Sequence, residues 1–315
     1  MSQALHNARS EPATRASASG RALVAACAGN LVEWYDFAVY GAFATVIAAT
    51  FFPGSDPSAR LLARVLTRAT LEGWGWRLAF LVTLPLGLVG LYLRRRLDET
   101  PRFRAVQRAR AVVRRPVAEA VRGYPGRLLA GLALVAALAL TFNLFFYLPS
   151  YLVTALAVPL PRALAASLAG LALVAIAAPF LGRLSDRVGR RPLLVAGTLA
   201  LLVVTLPAFL LIRGAGPLGL PLGYVLVGLP LSCLVIVPPF LAELFPTPIR
   251  STALAITYGV GSALFGGTAP FLATLLVRRT GNPVTPAFYA VAVAVAAVVA
   301  ALLTRETAFR PLDTD

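Results

Sequence analysis

The sequence predicts an all-α protein, a polytopic membrane bundle of about eight transmembrane helices arranged as two plus six. Three observations predict it. The chain of 315 residues is 58% hydrophobic and only 13% charged, with a mean hydropathy of +0.79. No soluble domain of this length carries that balance. Its apolar residues also fall in runs near the ~20 residues that a helix needs to cross the hydrocarbon layer. Finally, the net charge of +16 comes entirely from Arg, with no Lys in the chain, and the arginines lie between the apolar runs. A basic excess that marks loop ends reports topology rather than a nucleic-acid-binding face.

In chain order, residues 1–21 form a cytoplasmic tail rich in Ala, Ser and Arg, a composition that resists folding. It is not a signal peptide, because Glu33 and Asp36 interrupt the apolar run that follows and no clear cleavage pattern succeeds it. Residues 22–94 make a shortened N-terminal bundle of two helices, about 22–50 and 73–94. Residues 95–126 are a basic cytoplasmic linker. Residues 127–304 hold six helices, about 127–151, 162–182, 192–212, 218–241, 252–277 and 284–304. Residues 305–315 are a second cytoplasmic tail. Helices are required because lipid offers no partner to exposed backbone groups.

Orientation follows from the arginines. With the N-terminus inside, the inner segments hold 21 of them and the outer segments 8. Both termini are therefore expected in the cytoplasm. The loop from Arg94 to Arg127 carries eleven of the inner arginines. Phe103, Val106, Arg110 and Val113 recur there at helical spacing until Pro116 interrupts, so part of the loop is expected along the membrane surface. A solvated linker between two bundles is the main reading, and an anionic-lipid or nucleic-acid regulatory site the alternative.

The first helix carries the chemistry. Glu33 and Asp36 lie in a segment otherwise apolar from Ala22 to Phe52, where a charge costs roughly 2.5–3.5 kcal/mol on insertion scales. Three apart, they share a helical face with Asn30 and Tyr40. A carboxylate withdrawn from water has a raised proton affinity, which points to proton coupling. Asn30, Trp34, Tyr40, Phe146 and Tyr147 are the candidate substrate residues. Aromatic rings hold ammonium groups by cation–π contact, although interfacial belting also places aromatics near helix ends.

Two inner turns suggest a conformational latch made of Asp186, Arg187, Gly189, Arg190, Arg191, Glu243 and Arg250. Gly189 and Pro192 suit a tight turn between helices. The spacing suggests pairing Asp186 with the helix N-terminus near Ser251, a candidate N-cap, and Glu243 with an Arg of the 183–191 loop. Gly259, Gly261, Gly266 and Gly267 suit close helix packing more than a gating hinge. Enzyme chemistry is not indicated. The single His6 sits in the tail, Cys27 and Cys233 sit in apolar runs as small hydrophobes, and no metal-ligand cluster or cofactor motif is present.

These residues together resemble the metabolite:proton symporters of the major facilitator superfamily. The likeness rests on Glu33-Trp34-Tyr35-Asp36, Gly75-Trp76-Arg77, Leu97-Asp98-Glu99-Thr100-Pro101, the Gly182–Pro192 loop, Phe245-Pro246-Thr247-Pro248-Ile249-Arg250 and Gly266-Gly267-Thr268-Ala269-Pro270. It covers about 22–60 and 73–312. The ending Glu306–Leu312 is most similar to the proline/betaine osmolyte branch, with organic-acid carriers as close rivals. The resemblance implies alternating-access symport of protons with a small osmolyte or organic acid. The family has twelve helices, and no counterpart of four of them lies between Leu62 and Gly73. The alternative is accordingly a transport-inactive relative or a partner subunit, with a homo-oligomer completing the shortened half.

Overall fold

The computed structural model describes residues 115–309, with Leu84, Pro85, Leu88, Leu91, Tyr92 and Val113 besides. The chain divides into two compact units, Met1–Glu99 and Thr100–Asp315. The described elements of the second unit are all helical. They are α1 (Pro116–Gly123), α2 (Pro125–Leu156), α3 (Leu160–Val188), α4 (Arg190–Arg213), α5 (Gly219–Leu234), α6 (Val237–Leu244), α7 (Arg250–Gly261), α8 (Ala269–Thr280) and α9 (Thr285–Leu303). A π-helical turn, Ser262–Gly267, leads from α7 towards α8.

Six helical stretches among the described residues are long and apolar enough to cross a membrane: Pro125–Leu156, Leu160–Val188, Arg190–Arg213, Gly219–Leu244, Arg250–Thr280 and Thr285–Leu303. They match the six expected for the second bundle, with ends that shift by a few residues. Three expectations need correction. First, the span expected over 218–241 is two helices, α5 and α6, with a break at Val235 and Ile236. Pro238 and Pro239 fall in the first turn of α6, where their missing N–H groups cost least. Second, the span expected over 252–277 contains the π-helical turn, which widens the helix beside α2. Third, Pro116, expected to end a helical pattern, opens α1 inside the linker; Phe103, Val106 and Arg110 lie outside the described residues.

The bundle is organised around α2. Its 32 residues rise about 48 Å, and it packs on α9, α7, the π-helical turn, α3 and α5. Its middle, from Leu134 to Leu140, is almost wholly buried. Small residues set these approaches. A Cβ at Gly170 of α3 would sit 2.8 Å from the Tyr224 carbonyl oxygen of α5, and one at Gly197 of α4 would sit 2.7 Å from Cys233 Cβ. Cys233 thus packs as the small hydrophobe expected of it. At Gly261 and Gly266 a Cβ would come within 2.7 Å of Val135 Cγ1 and of Asn143 Nδ2, both on α2. Those two glycines serve close packing. Gly259 faces open space.

The helix ends sort into two groups. Arg127, the α3–α4 joint, the α6–α7 turn and the segment after α9 meet at one end of the bundle. Tyr151 and Pro283 meet at the other, where the Tyr151 hydroxyl donates to the Pro283 carbonyl. The first end is the one that the arginine pattern assigns to the cytoplasm.

Candidate functional site

At that end one residue joins two spanning helices. Gly189 alone separates α3 from α4, with φ at +105°, a conformation that side chains other than hydrogen rarely adopt. The turn brings Arg190 back over the last turn of α3. Its Nη1 lies 2.6 Å from Asp186 Oδ1 and also donates to the Ser185 hydroxyl. Its Nη2 and Nε both reach Glu243 Oε1 on α6 at 3.3 Å. The expected pairing of Glu243 with an Arg of the loop is therefore present.

Asp186 is placed differently from the expectation. Its partner is Arg190, four residues on, and its side chain is 64% exposed. Ser251 is not an N-cap either. The helix starts at Arg250 with Ile249 in the cap position and no side-chain cap, because the buried Ile249 already closes the Pro246 turn through its own N–H.

The tail completes the cluster. Glu306 accepts from the backbone N–H groups of Arg190 at 2.8 Å and Arg191 at 3.0 Å, the first of α4. It also accepts from Thr307 at 3.0 Å and Ala308 at 2.9 Å. A carboxylate at a helix N-terminus satisfies orphan donors and faces the positive end of the macrodipole. Burial pushes the Glu306 proton affinity up, but the four N–H donors outweigh it and hold the carboxyl below its ordinary value of 4.5. Thr307 Oγ1 donates to Glu243 Oε2 at 2.7 Å, so tail, α3, α4 and α6 share one network. Nearby, Arg191 Nη2 donates to the Leu302 carbonyl at 2.8 Å and Arg127 Nη1 to the Leu244 carbonyl at 2.9 Å. Arg250 Nε donates to the Phe245 carbonyl at 3.2 Å. Arg187 is exposed on the last turn of α3.

Sequence reasoning missed Ser185, Arg127, Glu306 and Thr307 as members of this cluster. Glu306 had a usable signal, a carboxylate just past the last span on the side where α4 begins. Nothing in the spacing marked the others.

The second group lies on α2. Phe146 is 49% exposed, with its ring 4.7 Å from Phe142 and 5.6 Å from Phe145. Tyr147 is half-buried, and its hydroxyl lies 2.5 Å from Thr274 Oγ1 on α8. Thr274 Oγ1 in turn donates to the Pro270 carbonyl at 2.8 Å. Tyr147 and Tyr151 have ring centroids 6.3 Å apart, and Tyr151 packs on Phe209 of α4 at 6.2 Å. Phe146 and Tyr147, consecutive on α2, thus meet different neighbours: Phe146 packs on Phe142 and Phe145, and Tyr147 meets Thr274 and Tyr151. Asn30, Glu33, Trp34, Asp36 and Tyr40 lie outside the described residues.

Residues 106–314 match the family described as "Sugar (and other) transporter". The chain is 35% identical over 264 residues to the proline/betaine transporter of Escherichia coli (strain K12), covering 80% of this chain and 52% of that one. It is 34% identical over 255 residues to the ectoine/proline transporter ProP of Corynebacterium glutamicum (strain ATCC 13032), covering 77% and 50%. The glycine betaine/proline/ectoine/pipecolic acid transporter OusA of Dickeya dadantii (strain 3937) is 34% identical over 273 residues, covering 80% and 52%. The chain spans about half the length of these curated relatives. An apolar six-span bundle, an interhelical ion-pair cluster at one end and a family match across most of the sequence agree: this chain belongs to the sugar (and other) transporter family, within the major facilitator superfamily.

Proposed function

We propose that this chain is a secondary active transporter that moves a small zwitterionic osmolyte of the proline or betaine kind together with protons across the bacterial inner membrane. The observation that carries the reading is the network of Asp186, Arg190, Glu243, Glu306 and Thr307, which ties α3, α4, α6 and the tail together at one end of the bundle. Asp186 is largely exposed while Arg190 and Glu243 are part-buried, and ion pairs that solvent reaches are individually weak, about 0–1 kcal/mol, which suits a contact that must break in each cycle. The network acts as a latch that favours one of two arrangements of the bundle, and transport proceeds as a population shift between them. Substrate class follows from the names of the relatives. Glu33 and Asp36 take the proton-coupling role, and Asn30, Trp34, Tyr40, Phe146 and Tyr147 line the site. Both termini lie in the cytoplasm.

The test is uptake of proline, glycine betaine and 2-oxoglutarate into proteoliposomes under an imposed proton gradient. Accumulation of the first two that collapses with the gradient supports the reading, and accumulation of 2-oxoglutarate alone would replace the osmolyte by an organic acid.

One observation favours a second reading. The chain spans about half the length of its relatives, which suits a transport-inactive relative or a subunit that works in a larger assembly, a homo-oligomer included. Silence from inserted, folded protein in the uptake experiment favours this alternative.

A further inference from the structure

We propose that α1 lies on the membrane surface at the ion-pair end of the bundle, where Arg115 and Arg122 bind anionic phospholipid headgroups and Val117 and Val121 enter the acyl boundary beside them. The chain fixes α1 at that level. Tyr124 alone separates it from α2, which is long and apolar enough to span. The joint is tied to the end of α6, because Arg127 in the first turn of α2 donates to the Leu244 carbonyl and stacks 5.2 Å from the centre of the Tyr124 ring. Ala120 is fully buried where α1 packs on α2 and α7. The helix therefore lies against the end of the bundle instead of standing off it.

Helical spacing then sorts its other sides. Val117 and Val121, four apart, share a side and are 57% and 50% exposed. Arg122 falls on the side away from Ala120, and Arg115 lies at the cap two turns before it; both are exposed. Among the described residues neither guanidinium has an ion-pair partner. Glu119, the one acid of α1, offsets a single charge and leaves Arg115, Arg122 and Arg127 in excess. Valines on one side and arginines on the next are the arrangement of an interfacial helix, whose apolar side chains sink below the headgroups while its arginines hold phosphates. A nucleic acid would answer the charge but leave both valines in water, which favours lipid.

The experiment is hydrogen–deuterium exchange of the purified full chain in nanodiscs of phosphatidylcholine or of a phosphatidylcholine–phosphatidylglycerol mixture. Exchange of the 117–123 amides should be about tenfold slower in the mixture, and high salt should remove the difference. Arg115→Gln with Arg122→Gln should abolish it. Arg183→Gln with Arg305→Gln, which removes two exposed charges at the same end, should retain it. Val117→Asn with Val121→Asn keeps the charge and loses the apolar seat, so it should shrink the difference. Equal exchange in the two lipids, equal loss in both arginine pairs, or an undiminished difference in the valine pair would overturn the inference. Slowing in phosphatidylcholine alone on addition of inorganic phosphate or RNA would overturn it too, by assigning the arginines to a soluble anion.

Discussion

Glu306 and Gly189 show how a single contact fixes both partners. A Cβ on residue 189 would lie 2.7 Å from Glu306 Cδ, and the +105° φ is strained for any residue but Gly. Gly189→Ala is therefore expected to destabilise the protein by about 1–3 kcal/mol, read as a lower melting temperature of the detergent-solubilised chain. Glu306 also carries a pH signature. Its folded proton affinity is depressed, so its contribution is complete above the ordinary carboxyl value of 4.5 and is lost as pH falls through the lower folded value. Wild-type melting temperature should drop on acidification below pH 4.5 more steeply than that of Glu306→Gln. Parallel curves would remove Glu306 from the network. The composition and the turn motif made Gly189, Arg190 and Glu243 legible in the sequence. Thr307 was not, and Glu306 showed only a carboxylate just past the last span, because their roles depend on a contact 116 residues long in sequence for Arg190, which no local pattern encodes.

At the scale of the helix, hydropathy carried the six spans, and it failed where backbone geometry departs from a regular α-helix. The break at Val235 and Ile236 and the π-helical turn at Ser262–Gly267 lie inside uniformly apolar runs, so the apolar signal passes over them. Pro238, Pro239 and the glycines were visible, but their spacing allows packing and bending alike. Close approach is the role the structure assigns at Gly170, where the Tyr224 carbonyl that a methyl would meet is backbone and cannot turn aside. Gly170→Ala should cost about 1–3 kcal/mol through overpacking, whereas Gly259→Ala, which meets open space, should leave the melting temperature near wild type. The ion-pair cluster belongs to this scale too, since it joins helix ends. Arg190→Gln and Glu243→Gln, singly and together, should show a coupling of about 0.5–1 kcal/mol in thermal stability. Strictly additive losses would mean that the 3.3 Å pair contributes nothing.

As a whole molecule, the proposed transporter converts a proton gradient into a substrate gradient. The acidic pair Glu33 and Asp36 was the first functional signal in the sequence, and both lie outside the described residues. Glu33→Gln should abolish gradient-driven accumulation while leaving substrate binding in place, measured by uptake with and without a proton gradient and by equilibrium binding. Uptake that survives the substitution would move proton coupling to another group.

The clasp of Glu306 on α4 has a consequence for how the protein is made. The joint at Gly189 leaves the ribosome more than a hundred residues before the carboxylate that caps it. The α3–α4 hairpin therefore enters the membrane with the first two N–H groups of α4 awaiting a partner, and biosynthesis adds that partner only after α9. Maturation should show a late step, in which the joint gains protease resistance when residue 306 emerges. A chain truncated just after α9 would display a bundle whose α3–α4 joint is still open to cleavage.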